Sequence, residues 1–333
     1  MPKKQRKKLN KKDRKYVVLL ILAILAIIYT VVTNNTEEEI EQPNFLINNS
    51  TTTTVQEVSK TSSNTSNETA TNSSSSSLEI YFFDVGQADS ILIRNNNQNM
   101  LIDAGNNADG KLISNYLKND LKISKLDYVV GTHAHEDHIG GLDDIIKTLD
   151  IGKIYMPFVS NANTKTYEDV ENAIIDKDLS ITNPSIGDKI SLGNAELEVM
   201  FVDNTEPKEK NDSSIVLQMN YGNEKYLFMG DAETKTEKSR TWEKVNVLKV
   251  GHHGSNTSSS DKFIKQVLPD ISIISVGPNN SYNLPKETII NRLKKYNSTI
   301  YRTDTDGTIY LTSDGTQNNI SKLNVCLDGD SRN

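Results

Sequence analysis

Apolar and polar positions divide the chain into three stretches of different texture. Residues 16–36 carry no charge, and their apolar heart runs from Tyr16 to Val32. At the helical rise, about 21 residues span roughly 31 Å, close to one hydrocarbon thickness. This run is apolar on every face, which predicts a membrane-spanning signal anchor and not a core helix. Residues 37–77 lose all periodicity: from Asn48 to Ser77, 23 of 30 residues are Ser, Thr or Asn. So few apolar side chains cannot offset chain entropy, so the stretch reads as a disordered tether. A tether of this length reaches on the order of 35–40 Å.

From Leu78 onward, short apolar runs alternate with turn signals. The pattern predicts strands over 78–84, 90–94, 100–103, 128–131 and 154–156 in the first half. Further strands are expected over 189–192, 196–201, 214–221, 225–229, 245–249, 271–275, 299–301 and 308–312. Helical spacing occurs over 111–120, 142–149, 261–267 and 286–296. Many strands with interspersed helices indicate a layered α/β domain. It is expected to span 78–325, leaving 326–333 as a tail. No internal repeat is visible in the pattern.

Charge sharpens this organisation. Nine Lys/Arg and one Asp lie in residues 1–15, against a net charge of −7 for the whole chain of 333 residues. The basic flank predicts a cytoplasmic tail, with everything after the anchor outside. No small-x-small site follows the apolar run, so the anchor reading is favoured over a cleaved signal peptide. Without its first 15 residues the chain has 28 basic and 43 acidic residues. That balance argues against a broad cationic footprint for nucleic acid. One cysteine, Cys326, excludes an intramolecular disulfide framework and a cysteine-rich zinc module. Gly-rich phosphate loops are absent, and the single tryptophan, Trp242, reads as a packing residue.

Candidate chemistry is confined to the histidines. All five fall in two short segments, Thr132-His133-Ala134-His135-Glu136-Asp137-His138 and Gly251-His252-His253-Gly254. Each follows an expected strand. Four donors within six residues at a strand end suit two adjacent metal positions, because imidazole and carboxylate ligate zinc, manganese or iron. Asp231, in Met229-Gly230-Asp231-Ala232, lies just beyond another apolar strand. A carboxylate there can bridge two cations about 3.5–4 Å apart.

These residues resemble the His-x-His-x-Asp-His signature of the metallo-β-lactamase superfamily. The similarity is greater to the C-terminal domain of ComEC-type DNA-uptake proteins and its stand-alone relatives. It is carried by Phe83-Asp84-Val85-Gly86-Gln87-Ala88-Asp89-Ser90, residues 101–105, Asn211-Asp212-Ser213-Ser214, Gly230-Asp231-Ala232-Glu233 and residues 248–255. Asn280-Ser281-Tyr282 and Arg302-Thr303-Asp304 fit as well. The resemblance covers about residues 79–315.

It implies an αββα sandwich holding two divalent ions, zinc or manganese, at one sheet edge. His133 and His135 would bind the first ion, and Asp137 and His138 the second. Asp231 would bridge, and His252 would complete the second position with His253 beside it. Asp137 and His253 are the catalytic candidates. Asp103 would brace the histidine loop, while Asp84, Gln87, Asp89 and Asp212 would sit at the site edge. Two departures stand out. Asn211-Asp212-Ser213 occupies the place where many members carry a further histidine for the first ion. The consequence is either a weaker first position or ligation by Asp212. Tyr282-Asn283-Leu284-Pro285 replaces a Tyr-Gly-His-Pro pattern and lacks its histidine.

The expected function is a membrane-anchored extracytoplasmic hydrolase of phosphodiesters, with nucleic acid as the first candidate. The chain is not expected to form a DNA channel itself, since residues 1–78 offer one span. Two alternatives are an esterase resembling phosphorylcholine esterases that act on cell-surface phosphodiesters, and a non-catalytic metal-binding surface protein.

Overall fold

The computed structural model describes residues 77–160 and 164–330. The anchor and tether expected over 16–36 and 37–77 lie outside the described residues, except for Ser77. Among the described residues, no helix is long and apolar enough to cross a membrane.

The first half supplies β1 (Leu78–Phe82), β2 (Ser90–Asn95), β3 (Gln98–Ala104), β4 (Lys125–Val130), β5 (Asp150–Tyr155) and β6 (Ile181–Thr182). The second supplies β7 (Lys189–Leu192), β8 (Ala195–Phe201), β9 (Val216–Tyr221), β10 (Glu224–Phe228), β11 (Val247–Lys249), β12 (Ile271–Ile274) and β13 (Thr299–Arg302). The chain then returns to the first sheet as β14 (Thr308–Ser313) and β15 (Asn318–Leu323). The eight-stranded sheet has the order β15-β14-β1-β2-β3-β4-β5-β6, and the seven-stranded sheet β13-β12-β11-β10-β9-β8-β7.

Strand alternation explains why these sheets stack. Successive side chains of a strand point to opposite faces. Leu78, Ile80 and Phe82 enter the cluster between the sheets, where they meet Leu217, Met219, Tyr226 and Phe228. Tyr81 and Phe83 point the other way, toward helices Gly110–Asn115, Leu142–Thr148 and Lys165–Asp176. On the far face of the second sheet, Leu227, Met229 and Leu248 pack against helices Asp261–Val267 and Glu287–Lys295. Helix, sheet, sheet and helix therefore form four layers. Each fully buried aliphatic or aromatic side chain contributes roughly 1.5–3 kcal/mol. Trp242 lies in the outer cluster, edge-on to Phe263 at 5.4 Å.

Connectivity places the loops that carry chemistry. Strands β3 to β6 run parallel, as do β10 to β13. Parallel strands direct all their carboxyl ends to one edge, where ligand sites of open α/β sheets form. The loops after β3, β4, β10, β11 and β12 therefore leave from the carboxyl ends of these strands. The β2–β3 connection is a tight hairpin in which Asn96 and Asn97 both adopt positive φ, 50° and 63°.

Three of the differences from the sequence expectation have a clear physical reason. Helix Lys165–Asp176 was not anticipated, although Tyr167, Val170, Ala173 and Ile174 lie on its buried side and Thr164 caps it. Strand β15 is polar and largely exposed, so it carries no alternation to read. Residues 326–330, set apart as a tail, pack onto the domain. Cys326 bridges Asp84, Leu327 is buried with Tyr81 and Phe83 in the cluster between the first sheet and its helices, and the Gly329 amide donates to Asp109. Truncation after Val325 is expected to remove about 2 kcal/mol, lowering the unfolding midpoint by roughly 4–8 °C. Calorimetry of the two chains would check this, and equal midpoints would contradict it.

Candidate metal centre

The centre is built on Asp103, at the end of β3. This residue adopts φ 59° and is 1% exposed. Its carboxylate accepts from the Thr132 amide at 2.8 Å, the Thr132 hydroxyl at 2.7 Å and His138 Nδ1 at 2.8 Å. The loop after β4 is thus tied to the end of β3. Gly140 and Gly141 let the next helix start hard against that strand. A Cβ at Gly141 would lie 2.3 Å from the Ala104 carbonyl oxygen.

Hydrogen bonds to the outer ring nitrogens assign the tautomers. Thr132 Oγ1 gives its proton to Asp103 and so accepts from His133 Nδ1 at 3.2 Å. His133 Nε2 is left as a lone pair, 3.0 Å from His135 Nδ1. His138 donates through Nδ1 to Asp103, and His253 through Nδ1 to the Ser275 carbonyl at 2.9 Å. Their Nε2 atoms then point inward. Such outer partners fix the orientation of metal-binding imidazoles.

The inward atoms converge. Donor atoms of Asp137, His138, Asp231 and His253 all lie within 4.8 Å of one another. Asp231 Oδ1 is 3.3 Å from His138 Nε2 and 3.7 Å from His253 Nε2, while Asp137 Oδ2 is 3.4 Å from His253 Nε2. Three of these atoms, His138 Nε2, His253 Nε2 and Asp231 Oδ1, are buried without a hydrogen-bond partner. Unsatisfied buried polar atoms are costly, and an ion at their common focus would satisfy all three. The donor set therefore fits a divalent cation.

Electrostatics agree. Asp89, Asp103 and Asp231 are buried, Asp137 is largely so, and the one buried lysine among the described residues is Lys249. Burial opposes charge on His138, but Asp231, Asp103 and Asp137 outweigh it and hold the imidazole protonated well above its usual range. His253 is likewise pushed up to about 9: burial acts against it, and Asp231 and Asp89 prevail. Asp137 and Asp231 resist burial because His138 and His253 keep both carboxyls below the usual range. Protons on two imidazoles thus do the work of a dication. Burial lowers both His133 and His135, leaving them neutral and able to ligate.

The second histidine segment departs from expectation. His253, expected beside the second position, is the residue that reaches Asp137 and Asp231 Oδ1. His252 faces the other oxygen, with Nε2 3.7 Å from Asp231 Oδ2. Its Nδ1 is held by Thr257 at 3.0 Å and Glu233 at 3.1 Å. Both histidines adopt left-handed backbone, φ 48° and 50°. Such strain costs about 1–3 kcal/mol per residue and persists where surrounding contacts over-determine it.

Other expected residues sort clearly. Gln87 lines the site and accepts from the Gly277 amide. Asp89 lies beneath the site and not at its edge, bonded to Lys249 at 2.7 Å. Asp84 turns to the Gly86 amide and takes no part in the cavity. Asp212 pairs with Lys235 at 2.9 Å on the surface. Asn211 lines the cavity in its place, with its Oδ1 buried and unpartnered. Thr132, Ser275, Glu233 and Lys249 were missed by sequence reasoning, since each acts through a contact distant in sequence or through a backbone atom. The cavity above the donors measures about 320 Å³ and opens beside a second of about 480 Å³. Both share Gln87, Glu136, Asp137 and Tyr282, and the second continues to Asn280, Asp328 and Asp330.

Comparison with known proteins agrees with this geometry. The sequence model of the Metallo-beta-lactamase superfamily matches residues 83–277, and the chain belongs to that superfamily. ComE operon protein 3 of Bacillus subtilis is 31% identical over 254 residues, covering 69% of this chain and 32% of that protein. Recombination protein 2 of Haemophilus influenzae is 29% identical, covering 68% of this chain and 28% of its own. The chain thus spans about a third of the length of these relatives. Among solved structures, the metallo-beta-lactamase fold protein YhfI from Bacillus subtilis shares the fold. Its TM-score is 0.50 at 9% identity, over 72% of this chain and all of that one.

Because His138 and His253 are protonated at neutral pH without an ion, binding must release protons. Affinity for manganese or zinc is therefore expected to rise with pH through neutrality and on to the loss of the His253 proton at about 9, with His138 likewise held well above its usual range. Calorimetric titration in buffers of different ionisation heat would measure the release. Buffer-independent heats would show that the imidazoles are already neutral.

Proposed function

We propose that the chain is a metal-dependent hydrolase of phosphodiesters, with single-stranded nucleic acid as its first candidate substrate. The observation that carries this reading is the focus of unpartnered donor atoms from both sheets at the floor of an open cavity. Its relatives include proteins named for competence and for recombination, which supports nucleic acid as the ester. His133, His135, Asp137, His138, Asp231, His252 and His253 would hold the ions. Divalent cations bound there supply Lewis acidity toward a phosphoryl oxygen and acidify water near neutral pH.

The chain's own groups do the rest. Asp137 is the more exposed of the two donor-set carboxylates that line the cavity, and it stays ionised beside His138 and His253. It orients the attacking water, whose proton passes to solvent through the open cavity. Asp103 and the Ser275 carbonyl keep His138 and His253 aimed inward. Leu284 lines the wall and can donate no proton, so the leaving group takes one from solvent through the open cavity. Substrates with acidic leaving groups are therefore favoured.

Asp137→Ala is expected to lower turnover of a bis-aryl phosphodiester at least a thousandfold while the unfolding midpoint stays within a few degrees. Full activity in that variant would refute the assigned role. Leu284→His is expected to accelerate cleavage of an oligonucleotide about tenfold or more, in keeping with general-acid assistance. The same change should leave the aryl ester within a few fold. Equal effects on both substrates would mean that protonation does not limit the rate.

A second reading has one observation behind it. The larger cavity is lined by Glu136, Asp137, Asp328 and Asp330, with Tyr282 on its wall and no lysine or arginine. Such a wall suits a small zwitterionic ester, of the phosphorylcholine type, better than a long polyanion. Turnover of an aryl phosphorylcholine without cleavage of single-stranded DNA would select it. Bound metal with no turnover of either would select the non-catalytic reading. The proposed anchor at 16–36 predicts that the 333-residue chain stays in the membrane pellet after alkaline extraction.

A further inference from the structure

Asp89 immediately precedes β2 of the first sheet, and Lys249 ends β11 of the second. They are 160 positions apart in sequence, 2.7 Å apart in space, and no more than 1% exposed. Removing two charges from water is expensive, and apolar side chains of the same shape would join the sheets equally well. Holding the layers together is thus not a sufficient reason for an ion pair.

Its contacts supply one. The Asp89 amide donates to the Asp137 carbonyl at 3.0 Å, and its carbonyl accepts from Gly105 at 2.9 Å. One residue thereby touches the loops after β3 and β4. Asp89 Oδ2 takes the Lys249 ammonium, while Oδ1 has no hydrogen-bond partner and lies 3.5 Å from His253 Nδ1. The His253 proton therefore has two acceptors in view, the Ser275 carbonyl at 2.9 Å and the Asp89 carboxylate. Lys249 draws charge toward Oδ2 and leaves the neutral carbonyl as the closer partner. Its ammonium also donates to the Val250 carbonyl at 3.1 Å, just where the left-handed turn carrying His252 and His253 begins. His138, by contrast, is held directly by a carboxylate.

We propose that the Asp89–Lys249 pair is a positioning device for the second ion position: it aims His253, from one sheet, at Asp137 and Asp231, and sets how strongly that imidazole binds. Asp89 and Lys249 touch no substrate in this arrangement; they act through His253 and its turn. The inference rests on the metal centre and not on the choice of ester.

The test compares Asp89→Asn, Lys249→Met and the double variant in the 333-residue chain. Manganese and zinc are titrated calorimetrically, cobalt(II) absorption reports ligand geometry, and unfolding is followed in chelator. Asp89→Asn leaves a buried cation beside the site, and affinity at the second position is expected to fall about ten- to a hundredfold. Lys249→Met lowers the metal-free midpoint, and the ion restores more of it than in the unaltered chain. The double variant regains the metal-free midpoint, yet binds the second ion at least about tenfold more weakly and with an altered cobalt spectrum. A double variant with unaltered affinity and spectrum would overturn the proposal, leaving the pair a packing element. One that regains neither stability nor affinity would overturn it too, as a general structural brace. An unaltered chain that binds no second ion removes the proposal together with the metal centre. One that binds two ions normally but cleaves no ester removes only the phosphodiester reading.

Discussion

Four carboxylates meet with a single lysine in one largely buried volume, and the structure is arranged around that charge deficit. Asp89, Asp103, Asp137 and Asp231 cannot share a low-dielectric space without positive charge nearby. Lys249 supplies one unit, and protons on His138 and His253 supply two more. Each of these groups sits at a strand end, in a loop beside a strand or, for Asp137 and His138, in the single helical turn Glu136–Ile139 after β4. The same deficit that would destabilise a closed interior makes the place a strong receptor for dications.

The architecture makes such a concentration possible. Two sheets with parallel segments direct their carboxyl ends to one edge, so loops distant in sequence meet there. The apolar cluster between the sheets keeps them in register. Within the donor loops, left-handed backbone occurs at Asp103 and at the His252–His253 turn. Rigid layers below and over-determined loops above give donor atoms fixed positions, which ion binding and catalysis both need.

Much of this was legible along the chain. Short apolar runs located most strands, because both sheets bury both faces over long stretches and need apolar side chains in series. The donor segments were legible because histidine is scarce here and clustered. Other parts were hidden for physical reasons. Strand β15 pairs at an exposed edge, where backbone bonds suffice and side chains need not alternate. Leu327 is one buried side chain in a polar stretch, too short for any periodicity. Asp89 read as an edge residue because its partner lies 160 positions away.

The sequence by itself determined the layered α/β class, through its apolar runs and turn signals, and the candidate donors, through residue type and spacing; the superfamily was legible through the resemblance of its motifs. Tertiary structure decided how the donors divide. His253 and not His252 meets Asp137, because two left-handed residues and the Ser275 carbonyl turn it inward. Asp212 leaves the site because Lys235 holds it at the surface. Adjacent residues in a chain share a position but not a direction, and direction is set by backbone dihedrals and by partners that only folding brings within reach.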